Sequence, residues 1–160
     1  MKKEHRYEIL NEWTGNHGAG TSNYEKYSRN HELSVSHKVM KIPGSSDPNF
    51  RGDKGRYNPE ELLVSSISAC HMLWYLHLCS VNDVIVNSYI DYAEGIMIEN
   101  EDSSGKFDRV YLKPSIVVAS KAMIKRAIAL HQAAHEMCFI ANSCNFIIEC
   151  HPKISVVKSA

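Results

Sequence analysis

Residues 58–70 read NPEELLVSSISAC, and this stretch contains the signals that begin a helix. Asn58 suits the N-cap, Pro59 suits the first helical position, and Glu61, three residues after the cap, can complete a capping box. Apolar side chains then recur at helical spacing to about Ser80 and lie on most sides of the predicted helix. A helix with so wide an apolar surface is expected to be buried. Its main stripe consists of Leu63, Ile67, Cys70, Trp74 and Leu78.

The remaining sequence predicts strands and one further helix. Strands are expected where apolar residues alternate or where Val, Ile and Tyr cluster. The two segments that flank the polar turn 99–106 are expected to pair as a long antiparallel hairpin. Ser120 can cap the second helix, whose stripe is Ile124, Ile128, His131, His135 and Cys138. The predicted strands are residues 5–13, 31–42, 84–98, 107–118 and 146–157.

The order of these elements predicts the fold class. Strands, a buried helix, strands, a second helix and a last strand are typical of an α+β domain in which helices pack on sheets. We expect one domain over residues 1–160, since this length supports a single core. Two loops are predicted, a glycine-rich one at 14–22 and a long polar one at 43–57.

Charge and hydropathy limit the classes of function. The chain has 18 Lys and Arg and 18 Asp and Glu, so its formal net charge is zero. Nucleic acid is not expected as a partner, because phosphate backbones are bound by an excess of basic residues. Residues 1–12 are polar and do not resemble a signal peptide, and no apolar run approaches the roughly 20 residues that span a bilayer. We therefore expect a cytoplasmic protein with no membrane partner.

The five cysteines of the chain are expected to be free, catalytic or metal-bound. Cys70 lies about three turns inside the first helix, where a lone cysteine is usually a small core residue. However, the loop before this helix carries Arg51 and Arg56, and Glu60 follows. A guanidinium about 4 Å from a thiolate contributes on the order of 4 kcal/mol, before desolvation, at an effective dielectric constant near 20. Such a contact lowers a thiol pKa towards neutrality, so a reactive Cys70 is the alternative.

Several motifs together resemble the OsmC/Ohr family of thiol peroxidases. Residues 58–70 resemble the family's central motif, in which N-P-E-x-L precedes a helix of small residues and a cysteine. Residues 134–138, AHEMC, resemble the site of the family's second thiol. Residues 14–21 (TGNHGAGT) and 50–53 (FRGD) resemble an OsmC-like branch. The resemblance extends over residues 10–157, which is most of the chain.

The resemblance implies a two-cysteine reaction. Cys70 would attack the distal oxygen of an organic hydroperoxide and become a sulfenic acid, and Cys138 would condense with it to a disulfide. Glu60 matches the carboxylate that holds an arginine beside the reactive thiol. Arg51 is the predicted arginine, although its spacing to Glu60 is about one residue shorter than in OsmC. The alternatives are Arg29, near the position of the arginine in the Ohr branch, and Arg56.

The resemblance also implies an assembly and a source of electrons. The family's fold is an intertwined homodimer in which antiparallel sheets surround two main helices and the active sites lie at the subunit interface. Its members draw reducing equivalents from dithiols such as lipoylated proteins. No metal or organic cofactor is implied.

One position departs from the family pattern. The second cysteine of the family is often followed by proline, whereas Phe139 follows Cys138 here. This leaves Cys144 as an alternative resolving thiol. Cys79 and Cys150 match no family motif and are expected to be core residues.

Two other functions compete with the peroxidase. One is a zinc site drawn from Cys70, His71, His77, Cys79, His135 and Cys138, although these residues show no C-x-x-C or H-E-x-x-H spacing. The other is a non-catalytic, stress-related protein that holds a hydrophobic ligand in the same fold. If the chain is a peroxidase, the apolar residues beside Cys70 favour an alkyl or lipid hydroperoxide over hydrogen peroxide. These neighbours are Met72, Leu73 and Trp74.

Overall fold

The first helix begins where its capping signals predict. The computed structural model describes residues 2–157, and α1 extends over Pro59–Ser80. The backbone N–H of Glu61 donates to Oδ1 of Asn58 at 2.7 Å, and the backbone N–H of Asn58 donates to Oε2 of Glu61 at 3.1 Å. These reciprocal bonds satisfy N–H groups that the first helical turn leaves without partners, so the predicted capping box is confirmed.

The chain divides into two compact units, Met1–Leu62 and Leu63–Ala160. In the first unit, β1 (Leu10–Trp13), β2 (His31–Ser34) and β3 (Ile42–Gly44) form an antiparallel sheet in that order. The predicted strand 31–42 is therefore two strands that pair with each other, and a turn closed by the Lys38 N–H and the Val35 carbonyl separates them. The prediction of one domain over residues 1–160 stays a prediction.

The predicted long hairpin forms in the second unit, but it is shared between two sheets. Its strands are β4 (Val86–Asp91), β5 (Glu94–Glu99), β6 (Gly105–Leu112) and β7 (Pro114–Val118). β5 pairs with β6 and β4 pairs with β7, both antiparallel. The break between the two sheets lies at residues 92–93 on one arm and at Lys113 on the other. A hydrogen bond of 2.7 Å from the Lys113 N–H to Oδ1 of Asp91 joins the arms at this break.

The last two strands complete these sheets. After α2 (Ile124–Met137), β8 (Ile147–Cys150) pairs with β6 and β9 (Lys153–Val156) pairs with β7, both in parallel. The sheet orders are β4-β7-β9 and β5-β6-β8. The prediction of antiparallel sheets is thus confirmed for the hairpin and wrong for β8 and β9. Because α2 lies in the connection, the chain can return and enter each sheet in parallel.

Two apolar clusters hold α1 in the second unit. Tyr75 and Cys79 pack with residues of β7 and α2, among them Ile116 and Ala127. Ile67, nearer the start of the helix, packs with Val110 and Leu112 of β6. The α+β class with two main helices is therefore confirmed, and α1 is the element that the two sheets share.

The exposure of α1 differs from the sequence-based expectation. Its buried residues are one per turn, Ile67, His71, Tyr75 and Cys79, and Leu73 is 63% exposed. Among the residues that the structure describes, α1 is the one helix long and apolar enough to cross a membrane, by length and composition alone. A core helix of a soluble protein can pass the same test. Two expectations are therefore wrong. One segment does reach the length and hydropathy of a membrane-spanning helix, and α1 is not buried on most sides.

The buried face of α2 is rotated from the predicted stripe. Ala127, His131 and Ala134 are buried, whereas Ile128 is half-exposed. Ser120 precedes a short 3-10 turn, and its side chain makes no capping hydrogen bond, so the predicted cap is wrong. Small alanines let α2 pack closely, which a stripe of large residues alone does not reveal.

Replacing the N-cap should destabilise the fold. We expect Asn58→Ala to lower the free energy of unfolding by about 1 kcal/mol, because the Glu61 N–H loses its acceptor. Asn58→Asp keeps an acceptor oxygen and should remain close to the wild type. Urea denaturation at one protein concentration measures both, and an Asn58→Ala protein as stable as the wild type would contradict the capping role.

Candidate active site

The two cysteines predicted to be catalytic lie together in the second unit. Cys70 is on α1 and is partly exposed. Cys138 is the C-cap residue of α2 and is fully buried. The Cys70 thiol lies close enough to the Cys138 thiol to contribute to raising the pKa of Cys138. Residues 68 positions apart in sequence thus become neighbours through the packing of α1 and α2.

The two thiols differ in burial, because Cys138 is fully buried and Cys70 is partly exposed. Burial, with a contribution from Cys70, raises the pKa of Cys138 to about 11. The Ala141 N–H donates to the Cys138 sulfur at 3.4 Å, which favours a thiolate but does not outweigh desolvation. Cys138 is therefore a neutral thiol at neutral pH, and this suits a resolving step better than a first attack.

The residue after the second cysteine contributes to an apolar wall. The Phe139 ring meets the Trp74 ring edge-on, with centroids 5.6 Å apart. Trp74 lies one helical turn after Cys70, and with Leu73 and His77 it lines a surface pocket of about 310 Å³. Phenylalanine in place of proline at position 139 therefore does not move the two thiols apart. Its ring adds an aromatic surface next to Trp74, on the side of α1 that carries Cys70.

The alternative resolving thiol is engaged elsewhere. Cys144 donates its S–H to the carbonyl oxygen of Ile140 at 3.2 Å. Burial raises the pKa of Cys144, and its side chain packs against the cluster around Ile67. The geometry therefore favours Cys138 over Cys144 as the partner of Cys70.

Glu60 has no arginine partner in this geometry. It lies in the first turn of α1, and its Oε2 is buried without a hydrogen-bond partner among residues 2–157. Arg51, the predicted partner, forms an ion pair with Glu25 at 3.6 Å. The expected Glu60–Arg51 pair is thus not formed here. A buried, unpaired carboxylate oxygen costs about 1–3 kcal/mol, so Glu60 has unused capacity to accept a hydrogen bond.

The three candidate arginines differ in how they are held in the first unit. Arg51 is half-exposed and has a positive φ of 63°. Arg56 donates to the carbonyl oxygen of His31 at 3.2 Å. Arg29 lies over the rings of Tyr24 and Tyr27, at 4.0 and 4.3 Å from their centroids. Nη2 of Arg29 is buried and also lacks a hydrogen-bond partner among the described residues.

Comparison with known proteins identifies the family. The family model described as OsmC-like protein matches residues 52–152, which include both α1 and Cys138. This chain belongs to the OsmC-like family. No curated protein matches the sequence.

Solved structures of OsmC-like proteins share the fold. An OsmC-like protein of unknown function from Vibrio cholerae is 28% identical, with a TM-score of 0.83 over 94% of this chain and all of that one. An organic hydroperoxide resistance protein from Elizabethkingia anophelis is 19% identical, with a TM-score of 0.67 over 96% of this chain and 99% of that one. One from Legionella pneumophila is 20% identical, with a TM-score of 0.66 over 96% and 100%. At these last two identities the likeness shows the fold alone.

This OsmC-like chain also contains a cluster that the sequence analysis missed. His71 on α1, His131 on α2 and Cys150 at the end of β8 place their nitrogen and sulfur atoms within 4.8 Å of one another. Burial lowers the pKa of His71 to about 4 and that of His131 to about 3. Burial also raises the pKa of Cys150 to about 12.

The six residues predicted as candidate zinc ligands do not come together as one site among residues 2–157. Of these six, only His71 belongs to a group of three potential ligands within residues 2–157. His131 and Cys150 complete that group, although Cys150 was expected to be an ordinary core residue. Cys79 is buried in the core as predicted. No spacing rule reveals the cluster, because its three members come from separate elements.

The raised pKa of Cys138 predicts a loss of stability in alkali. An unfolded cysteine ionises near pH 8.5, whereas Cys138 in the folded chain ionises at about 11. Ionisation therefore stabilises the unfolded state first, and folding stability falls between these two pH values. We expect the wild type to lose about 3 kcal/mol more than Cys138→Ala over this range.

Denaturation curves at pH 8 to 11 under reducing conditions measure this difference. Ser143→Ala, which removes no ionisable group from the same turn, should follow the wild type. Parallel curves for the wild type and Cys138→Ala would contradict the burial argument.

Proposed function

We propose that this OsmC-like protein is a thiol-dependent peroxidase that reduces organic hydroperoxides through Cys70 and Cys138. The observation that carries the proposal is the proximity of a partly exposed thiol on α1 to a fully buried, neutral thiol at the end of α2. This pair matches the roles that the family resemblance implies. Some solved OsmC-like structures are of organic hydroperoxide resistance proteins, which is consistent with the substrate class.

The proposed reaction has three balanced steps. The Cys70 thiolate attacks the distal peroxide oxygen, the O–O bond breaks, and the alkoxide takes a proton and leaves as an alcohol. Cys70 is then a sulfenic acid, and the Cys138 sulfur displaces its hydroxyl as water to form a disulfide. A dithiol reductant exchanges with this disulfide, returns both cysteines to thiols and leaves oxidised.

The proximity of the thiols supports this order of events. Cys70 is the accessible member of the pair, whereas Cys138 has no solvent-exposed surface. A peroxide can therefore reach Cys70 first. Because the Cys138 thiol already lies near Cys70, the condensation needs little rearrangement of the chain.

The apolar pocket of Leu73, Trp74 and His77 supports an organic substrate. It lies on α1 within two helical turns of Cys70, and its lining is mainly apolar. An alkyl or aryl group gains free energy by leaving water in such a pocket, and hydrogen peroxide has no such group.

Other parts of the proposal rest on the family resemblance. The homodimer is supported by the exposure of α1, since an apolar helix with few buried residues is expected to pack against something further. The dithiol reductant and the cytoplasmic location stay predictions. Glu60, with its unpaired oxygen, is proposed to receive the guanidinium of Arg51 in the active arrangement.

Cysteine variants test the reaction directly. With cumene hydroperoxide and a dithiol reductant, we expect turnover by the wild type, none by Cys70→Ser, and a single turnover by Cys138→Ser that leaves a sulfenic acid on Cys70. Cys144→Ser is the matched control and should turn over normally. Peroxide consumption and the intact mass of the protein are the measurements, and the efficiency with cumene hydroperoxide should exceed that with hydrogen peroxide.

The outcomes separate the proposed roles. Continued cycling by Cys138→Ser together with failure of Cys144→Ser would move the resolving role to Cys144. A wild type with free thiols and no turnover would contradict the peroxidase and favour the non-catalytic ligand-binding protein. A higher efficiency with hydrogen peroxide would contradict the organic substrate.

Arginine variants test which side chain activates Cys70. We expect Arg51→Ala to slow the single-turnover oxidation of Cys70 by about 10–100-fold, because a nearby guanidinium stabilises a thiolate relative to a thiol. Arg51→Lys keeps a positive charge and should restore part of the rate. Arg29→Ala and Arg56→Ala are the matched controls, and a larger effect at Arg29 would assign the role to that residue.

A further inference from the structure

Two buried histidines and one half-buried cysteine of the second unit converge on one point that the proposed peroxidase does not use. Nε2 of His71 lies 3.0 Å from Nδ1 of His131. The sulfur of Cys150 lies 3.7 Å from Nε2 of His71 and 3.5 Å from Nδ1 of His131. His71 is 1% exposed and His131 is 5% exposed.

This triangle has the dimensions of three ligands around a tetrahedral metal ion. With Zn–N bonds of about 2.0–2.1 Å and Zn–S bonds of about 2.3 Å, tetrahedral angles separate two nitrogens by about 3.3 Å and a nitrogen from a sulfur by about 3.6 Å. The observed separations of 3.0, 3.5 and 3.7 Å agree with these values to within about 0.3 Å. We propose that His71, His131 and Cys150 bind a single zinc ion.

The ligands are held in place before any ion arrives. Each comes from a different element, α1, α2 or β8, and these elements are joined through the core. The Tyr75 ring stacks on the His131 ring with centroids 4.0 Å apart, and the His71 and His131 rings are parallel to within 5°. A site of this kind loses little conformational entropy when the ion binds.

The ring nitrogen of each histidine that does not face the cluster leaves both tautomers of that histidine available. Nδ1 of His71 and Nε2 of His131 have no hydrogen-bond partner among residues 2–157. Apart from the hydrogen bond between the two rings, no protein group among residues 2–157 fixes the proton to either nitrogen of a ring. Each imidazole can present a lone pair to the ion without breaking another protein hydrogen bond, apart from the one between the two rings.

The surroundings provide a fourth position and a favourable charge. A cavity of about 550 Å³ is lined by two of the three ligands, His131 and Cys150, together with His135 and Glu149 among others, and it provides a side from which water can approach the cluster. Asp91 is close enough for its charge to act on both His71 and Cys150, and at His71 it opposes the effect of His135. A negative charge at this distance favours a cation. Three protein ligands with an open fourth position are typical of zinc sites that also bind water or a small ligand.

Binding exchanges one proton for the ion. The Cys150 S–H bond breaks, the Zn–S bond forms, and the proton passes to solvent. No oxidant or reductant takes part. The proposed reaction of Cys70 and Cys138 uses none of the three ligands, so the test of the zinc site is independent of the test of the peroxidase. If zinc binds, the expectation that the chain has no metal is wrong.

Cobalt titration tests the ligand set. The full chain, freed of metal by a chelator and kept reduced without oxygen, is titrated with Co²⁺. We expect one equivalent to give a thiolate-to-cobalt charge-transfer band and the visible bands of tetrahedral cobalt, and Zn²⁺ to remove both. Cys150→Ser should lose the charge-transfer band and bind Zn²⁺ at least about 100-fold more weakly, whereas Cys144→Ser, the matched control, should keep both properties. Bands that persist in Cys150→Ser and vanish in Cys70→Ser would place the ion at the other thiol pair and overturn the proposal.

A measurement on the wild type avoids any folding defect of the variants. The reduced chain is treated with a maleimide in the presence and absence of one equivalent of Zn²⁺, and each cysteine peptide is quantified by mass spectrometry. We expect zinc to protect Cys150 at least about tenfold, with Cys70 and Cys144 unchanged. Equal labelling of Cys150 with and without zinc would overturn the site.

Discussion

The stripe of α1 that consists of Ile67, His71, Tyr75 and Cys79 is the contact on which the second unit depends. Each helical turn buries one of these side chains, and the two sheets and α2 pack against them. Cys70 and Trp74 each precede a buried residue by one position, so they lie beside this stripe on the same helix. The packing that anchors α1 therefore also fixes the direction of the Cys70 thiol and of the apolar wall next to it.

Burial assigns different chemistry to thiols of one chain. Desolvation raises the pKa of Cys138, Cys144 and Cys150, and these side chains differ in what they contact. Cys138 lies near another thiol, Cys144 bonds to a backbone carbonyl, and Cys150 meets two imidazoles. A thiol beside a thiol suits reversible disulfide formation, whereas a thiol beside two imidazoles suits a soft or borderline metal ion. The same physical effect thus supports two separate sites.

Two features of α1 lack a partner among residues 2–157. Glu60 has a buried oxygen without a partner, and much of the apolar surface further along the helix is exposed. Unpaired buried oxygens and exposed apolar surface both raise the free energy of a protein, and binding a guanidinium or a second surface relieves them. The proposed homodimer, with the proposed placement of Arg51 beside Glu60, would supply a partner for both features.

The sequence by itself determined the start of α1, the hairpin, the α+β class, the family and the two thiols that the proposed reaction uses. These depend on short-range signals, such as the capping box of Asn58 and Glu61, or on motifs a few residues long. Only the tertiary structure decided that the hairpin is split between two sheets, that β8 and β9 add in parallel, and that Arg51 pairs with Glu25. It alone brought together His71, His131 and Cys150, which lie up to 79 positions apart. The physical reason is that side chains from separate elements meet through packing, and local spacing in a sequence carries no record of such contacts.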